Sequence, residues 1–174
     1  MKNIFTVKKP VPYITIDDAE LLLESLRKLY TKPGNDSKLK TLIRNLAKSV
    51  LYLLSETRRA NYMSEEAFSE WTKNKMDGDL QNLTTAKQRF NKKEYPMLDK
   101  LILEHCNPLS GIVKKMFEKN MNIKKVIQED LKTAWITKKE DDRLCGKLSH
   151  TRKGGWRKCY EEKGIKWYRQ NQTN

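Results

Sequence analysis

Apolar residues recur at helical spacing through the first third of the chain. The first predicted helix, at about 17–30, has an apolar face formed by Leu22, Leu23, Leu26 and Leu29. A proline- and glycine-containing turn follows at 32–36, and a longer stripe begins after it. The members of this second stripe are Leu39, Leu42, Ile43, Leu46, Val50, Leu53 and Leu54. Two apolar stripes joined by a short turn predict a helical pair, which we interpret as scaffold.

Shorter elements are expected on either side of this pair. Residues 1–16 mix β-branched and aromatic side chains with two prolines, which predicts an extended arm or an edge strand. Ser64, followed by two glutamates, predicts the cap of a further helix. A cationic helix is expected at about 84–92, and its basic residues are typical of a solvated face.

The second half of the chain mixes strands with helices. Leu101–Leu103 is a short apolar run that predicts a strand, and 133–136 predicts a second one. Two helices are expected between them, at about 112–119 and 122–132. The segment Thr137–Glu140 has the spacing of a capping box, so a helix is expected directly after the second strand.

These elements define the predicted fold class. It is mainly α, with an N-terminal helical pair, a helical middle section and a small C-terminal α+β unit of ββα type. The predicted organisation is a helical scaffold over 1–96 and a basic unit over 97–174. One continuous domain is the alternative, because 174 residues fit a single domain of ordinary size.

The charge of the chain indicates the class of partner. There are 36 lysines and arginines against 22 acids, a formal net charge of +14. The sequence pI of about 9.7 is typical of proteins that bind polyanions. An alternative source of the charge is the lysine- and asparagine-rich composition typical of an AT-rich genome.

The positive charge is concentrated at the C-terminal end. From Arg143 onward there are nine cations and two acids, so half of the net charge of +14 lies in this section. The residues predicted to bind nucleic acid are Arg143, Lys147, Arg152, Lys153, Arg157 and Lys158. Aromatic residues are interleaved with them, and two roles are open to these rings. One is stacking on unpaired bases and the other is packing against the core. We expect the aromatics to lie mostly inward while the cations face outward on phosphate.

One short segment has the residues that phosphodiester hydrolysis requires. Glu104 and His105 follow the apolar run Leu101–Leu103 and precede a turn with proline and glycine. A neutral histidine suits a general base, and a carboxylate suits a ligand of Mg²⁺. Adjacent residues of a strand point to opposite sides, so these two serve different partners unless a bend brings them together.

The order Glu104-His105-x-x-Pro108-Leu109-Ser110 resembles the opening of the HNH, or ββα-metal, nuclease motif. In that family an acid–His pair ends a first strand, and a proline-containing loop, a second strand and a helix follow. The resemblance covers about residues 101–144 and implies His105 as the catalytic base. It further implies Glu104 and Asp141 as ligands of Mg²⁺ or another divalent cation. The chain differs from the family in its two helices between the strands, and in an Asp where the family helix presents Asn or His.

Two other interpretations of the segment are open. His105 is equally well explained as a partly buried histidine whose hydrogen bonds are satisfied. Zinc is a second alternative, with His105, Cys106, Cys145, His150 and Cys159 as ligand candidates. Structural zinc normally uses closely spaced cysteine pairs, and the sequence has none.

Three functions follow from these features. The first is a metal-dependent endonuclease of a restriction, phage or mobile-element system, acting on DNA in preference to RNA. A restriction-type enzyme of this kind is expected to be a homodimer, because a symmetric DNA site suits two-fold symmetry. The second is a non-catalytic nucleic-acid-binding regulator or packaging protein. The third is a basic inhibitor or adaptor that docks an acidic protein.

The sequence also indicates the cellular setting. No run of 18 apolar residues is present, and the first residues lack the apolar core of a secretory signal. The three cysteines are therefore expected to be reduced thiols. We expect a cytoplasmic protein, bacterial or phage-encoded, with no membrane contact.

Overall fold

The computed structural model describes residues 14–56, 58, 60–74, 99–144, 152 and 154–168. The predicted arm at 1–16, except for its last three residues, lies outside this part of the chain. The predicted cationic helix at 84–92 also lies outside it. No helix in the described ranges is long and apolar enough to cross a membrane.

The predicted N-terminal helical pair is confirmed. Helix α1 spans Ile16–Thr31, and Thr15 caps it through a reciprocal pair of hydrogen bonds with Asp18. Helix α2 spans Ser37–Glu56 and packs against α1. The Asp36 carboxylate accepts the Leu39 N–H at 2.7 Å, which satisfies one of the free amides at the start of α2.

Two more helices complete a helical core with this pair. After the turn that follows strand β2 (Leu101–His105), helix α4 spans Leu109–Met116, and α5 spans Ile123–Asp130. They correspond to the two helices predicted between the strands at about 112–119 and 122–132, the first of which begins and ends three residues earlier than expected. The four helices share one apolar cluster, whose fully buried members include Leu23, Leu51, Leu54, Met116, Ile123 and Ile127.

A small mixed sheet forms the second layer of the fold. Strand β1 is Tyr62–Met63, and β3 is Thr133–Thr137. The order is β1-β3-β2, with β1 parallel and β2 antiparallel to β3. Strand pairing therefore crosses the predicted boundary between residues 96 and 97.

Helices pack on both faces of this sheet. Helix α3 (Glu65–Lys73) covers the face that carries Trp135. Helices α6 (Lys138–Leu144) and α7 (Trp156–Glu162) bury the opposite face, which carries Ala134 and Ile136. The order β2, β3, α6 agrees with the predicted C-terminal α+β unit, with α4 and α5 inserted between its two strands.

The predicted capping box at the start of α6 is confirmed, and it extends to a second helix. The Glu140 carboxylate accepts the Thr137 N–H at 2.8 Å, and Thr137 Oγ1 accepts the Glu140 N–H at 3.2 Å. The Ser64 hydroxyl, which caps α3, donates to the same carboxylate at 2.6 Å. One fully buried glutamate therefore ties the starts of α3 and α6 together.

Candidate nucleic-acid interface

The alternation of strand β2 sends Glu104 and His105 to opposite faces of the sheet. Glu104 bonds to Arg152, on the face covered by α6 and α7. His105 bonds to Ser55 of α2, and its ring lies 5.9 Å from the ring of Tyr52. The strand has no bend that brings the two side chains to one side, so each has its own set of partners.

His105 has a structural hydrogen bond. Its Nε2 lies 2.7 Å from Ser55 Oγ, and the Ser55 hydroxyl donates to the Tyr52 carbonyl at 2.7 Å. Because that hydroxyl hydrogen is already used, we assign Nε2 as the protonated donor and Nδ1 as the unprotonated nitrogen. Burial lowers the pKa of His105 to about 4. The ring is therefore neutral at physiological pH and a weak base.

The two predicted metal ligands share the other face. Burial raises the pKa of Glu104, and the negative charge of Asp141 raises it further. Burial also raises the pKa of Asp141, with a second contribution from the neighbouring Asp142. Arg152 lies beside Glu104, with Nη2 3.0 Å from Oε1, and its side chain is only 3% exposed. This guanidinium supplies the positive charge that a metal ion would otherwise provide to Glu104.

The three-residue metal site that the nuclease resemblance implies is not assembled. Glu104 and Asp141 are brought to one face, whereas His105 lies on the other. Within the described residues no group of three or more His, Cys, Asp or Glu is placed to hold a metal ion. Two of the zinc candidates, Cys145 and His150, lie outside those residues. Cys106 is fully buried, and burial raises the pKa of its thiol far above the usual range.

The predicted nucleic-acid-binding cations fall into three groups. Arg143 and Arg152 are already paired, with Arg143 Nη2 2.9 Å from Glu66 and Arg152 bound to Glu104. Arg157 and Lys158 are exposed on α7. Lys147 and Lys153 lie outside the described residues. Arg152 and Arg143 therefore have close carboxylate partners, whereas Lys158 has only a 3.9 Å contact with Glu162.

The C-terminal aromatic residues pack inward, as one of the two sequence interpretations predicted. Tyr160 is fully buried, and its ring lies 5.1 Å from that of Trp167. Trp156 packs on Tyr62 of β1, with ring centroids 4.7 Å apart. The Arg157 guanidinium lies 4.9 Å from the Trp156 ring, so this cation is held at the surface by an aromatic support.

A groove between α1, α2 and α4 is a cationic surface that the sequence analysis missed. Its volume is about 520 Å³. We call it the basic groove, and it is lined by Tyr30, Thr41, Arg44, Asn45, Lys48, Ser110, Val113, Lys114, Phe117 and Glu118. Among the described residues that line the groove, three are cations and one, Glu118, is acidic. The groove therefore carries a local positive charge.

An aromatic pair lies in the wall of the basic groove. The rings of Tyr30 and Phe117 are 4.9 Å apart, which joins the end of α1 to the end of α4. The Arg44 guanidinium lies 5.4 Å from the Tyr30 ring, and the Lys40 ammonium lies 6.0 Å from it. These contacts hold cations over an aromatic face, so part of the entropy cost of ordering them is already met in the free protein.

The spacing of three cations on α2 is the sequence signal for this groove. Lys40, Arg44 and Lys48 recur at intervals of four, which places them along one side of α2. Their partners Lys114 and Phe117 come from α4, about seventy residues later. Only the packing of α4 against α2 converts the cationic side of a helix into a groove.

Comparison with known proteins gives no further guide to the site. No protein-family model matches the chain. No curated protein and no solved structure matches it either.

Proposed function

We propose that this protein binds nucleic acid, with the basic groove as its principal contact surface. The observation that carries the proposal is the grouping of Arg44, Lys48 and Lys114 around the Tyr30–Phe117 pair. Cations that line a groove neutralise phosphates and release condensed counterions. Aromatic and guanidinium faces beside them offer a surface for bases.

The exposed cations of α7 supply a second contact surface in this proposal. Arg157 and Lys158 are directed toward solvent, and Lys158 is opposed only weakly by Glu162 at 3.9 Å. Arg143 and Arg152, in contrast, already have carboxylate partners. We therefore assign phosphate binding to the groove and α7 and a structural role to the two paired arginines. DNA is the first nucleic acid to test.

Binding is tested by fluorescence anisotropy with labelled duplex DNA, single-stranded DNA and RNA across a salt series. The double variant R44A/K48A is expected to weaken binding about tenfold, equivalent to about 1.4 kcal/mol. Its salt-dependence slope is expected to fall by about 2, because two phosphate contacts are removed.

The matched control is K138A/K139A. It removes the same charge from two exposed lysines of α6, which line a different surface depression together with Glu66 and Glu70. Equal losses in both double variants would mean that net charge alone drives binding, and would contradict the groove assignment. Absence of binding to all three nucleic acids near physiological salt would favour an acidic protein as the partner instead.

A metal-dependent nuclease is a second candidate function, and one observation favours it. Glu104 and Asp141 are two carboxylates on one face, and each has a raised pKa. A divalent cation bound there would relieve their mutual repulsion, and Arg152 would have to give up its bond to Glu104. Incubation of plasmid DNA and RNA with Mg²⁺ or Mn²⁺, against EDTA, tests this candidate.

Two results would separate the nuclease from a binding protein. Metal-dependent cleavage that Asp141→Asn abolishes while leaving binding intact would support the nuclease. If His105→Ala abolished cleavage as well, the histidine would have to reach the substrate from the opposite face. Binding without cleavage in either metal would leave the regulator or packaging function.

A further inference from the structure

The outer side of the α1–α2 pair exposes a row of leucines. We call it the leucine ridge, and its members are Leu22, Leu29, Leu39, Leu42, Leu46 and Leu53. Each of them exposes between 41% and 54% of its surface. Scattered surface leucines are ordinary, but a contiguous apolar patch on a soluble protein marks an interaction surface.

Helical geometry places the ridge on one surface. At 100° per residue, the four leucines of α2 lie within about 60° of one another around its axis. Leu22 and Leu29 of α1 are seven residues apart and lie within about 20°. Each stripe adjoins the buried positions of its helix, such as Leu23 and Ile43, and so borders the line where α1 and α2 pack.

The ridge is turned away from the other described helices of the core. On α1, Arg27 lies about 160° from Leu29 and donates to the backbone carbonyl of Met121, beside α5. On α2, Lys48 lies about 160° from Leu46, in the basic groove on the side of α4. The stripes therefore lie on the outside of the helical core.

We propose that the leucine ridge is a homodimer interface, covered by a second copy of this chain. The area of the patch agrees with this occupant. Six half-exposed leucines leave on the order of 500 Å² of apolar surface, at the upper end for a monomer. A standard stable interface buries roughly 800 Å² per partner, so the ridge would supply more than half of the surface that such a dimer buries.

The pattern of the ridge fits a copy of itself. Leu39, Leu42 and Leu46 have the three-then-four spacing with which helices interdigitate, and Leu53 continues it one heptad later. Two identical helical pairs, apposed across a two-fold axis, would form a four-helix layer in which leucine meets leucine. The two residues of α2 that border these leucines around the helix axis, Ser49 and Val50, are both uncharged.

The distribution of charge permits this association. The net charge of +14 opposes the approach of two copies at long range. Arg44 and Lys48 lie in the basic groove, on the far side of α2 from the ridge. A dimer formed through the ridge therefore leaves both grooves free and keeps their cations apart. The inference is independent of the nucleic-acid-binding proposal, because the two surfaces share no residue.

Sedimentation velocity and light scattering on the full chain test the proposal over about a hundredfold range of protein concentration. The wild-type protein is expected at twice the chain mass of 20.6 kDa. The variant L42D/L46D is expected at the single chain mass, because it places four carboxylates in the centre of the interface. Both leucines are about half exposed, so the helical circular dichroism of the variant should be retained.

The matched control is Leu21→Asp. Leu21 is 70% exposed and lies about 100° from Leu22 around α1, outside the ridge. This variant is expected to remain dimeric. If L42D/L46D loses its helical signal, the milder L42Q/L53Q decides in its place.

A wild-type protein that stays at the single chain mass throughout would overturn the proposal, whatever else covers the ridge. A dimer that the correctly folded L42D/L46D variant leaves intact would overturn it as well.

Discussion

Glu104 and His105 are neighbours in the sequence, but they have opposite electrostatic surroundings. Glu104 faces a buried guanidinium and a second carboxylate, whereas His105 faces a serine hydroxyl and a tyrosine ring. The two pKa values consequently shift in opposite directions, because burial disfavours the charged form of each group. His105 is neutral, and it contributes to the fold through packing and a hydrogen bond. Because protonation would disrupt this arrangement, its contribution to stability depends on pH.

The pH dependence of this contribution can be worked out from the pKa of His105. In the unfolded chain the ring takes up a proton near its ordinary value of 6.5, and in the folded chain only near about 4. Between these values the unfolded state binds more protons, so stability falls as the pH decreases from 6.5 toward 4. The loss is expected to be about 3 kcal/mol when the full window is crossed.

Urea unfolding of the wild type and of His105→Gln measures this loss. Glutamine keeps an N–H donor for Ser55 and does not titrate. The wild-type curve should therefore fall more steeply than that of the variant between pH 6.5 and 4. The raised pKa of Glu104 acts in the opposite direction, but it is present in both proteins and cancels in the comparison. Parallel curves would contradict the assignment.

At the scale of elements, a single carboxylate accepts hydrogen bonds at the starts of two helices. Glu140 accepts hydrogen bonds from the Thr137 N–H and from the Ser64 hydroxyl, and it is fully buried. Removing it leaves the buried donors without an acceptor. Glu140→Ala is therefore expected to destabilise the protein by about 3 kcal/mol.

The prediction is checked by the urea midpoint at constant m-value. Asp142→Ala is the matched control, because it removes an exposed carboxylate from the same helix. The control is expected to change stability by less than about 0.5 kcal/mol. A loss of similar size in both variants would mean that the charge of α6, and not the shared cap, is responsible.

Elements with a local cause were predictable from the sequence, and elements with a tertiary cause were not. The starts of α1 and α6 follow from capping boxes within four residues, and strand β3 follows from a short apolar run. Strand β1 has two residues, Tyr62–Met63, which is too short for any period to be visible. It exists because β3 offers it backbone hydrogen bonds.

The same distinction applies to the candidate site. Strand alternation predicted that Glu104 and His105 would point to opposite sides, and the structure agrees. The basic groove was not predictable, because Tyr30 and Phe117 are separated by more than eighty residues and meet only in the folded core. The leucine stripe of α2 was predicted to pack against the first helix. The first helix covers part of it, and Leu42 and Leu46 remain half exposed.

At the scale of the whole molecule, apolar and cationic surfaces are separated on opposite sides of α2. The two proposed associations therefore respond differently to salt. Binding of nucleic acid weakens as salt is added, because counterions released into a more concentrated solution gain less entropy. Contact through the leucine ridge strengthens, because added salt screens the repulsion between two chains of charge +14.

The effect of dimer formation on affinity at the basic groove is expected to depend on the length of the nucleic acid. A dimer that leaves both grooves free can engage a long strand twice, and the second contact forms at a high effective concentration. L42D/L46D has one groove per particle. It is therefore expected to bind an oligonucleotide of about 15 base pairs as tightly as the wild type does, and one of about 60 base pairs about a hundredfold more weakly.

Anisotropy titrations at low protein concentration with both lengths measure this coupling, and Leu21→Asp should behave as the wild type does at each length. Equal loss at both lengths would mean that the aspartates disturb the groove itself, since α2 carries both surfaces. Equal affinity at both lengths would mean that the two grooves of a dimer face away from any common strand. The ratio of the two affinities therefore measures whether the second copy places its groove within reach of the same molecule.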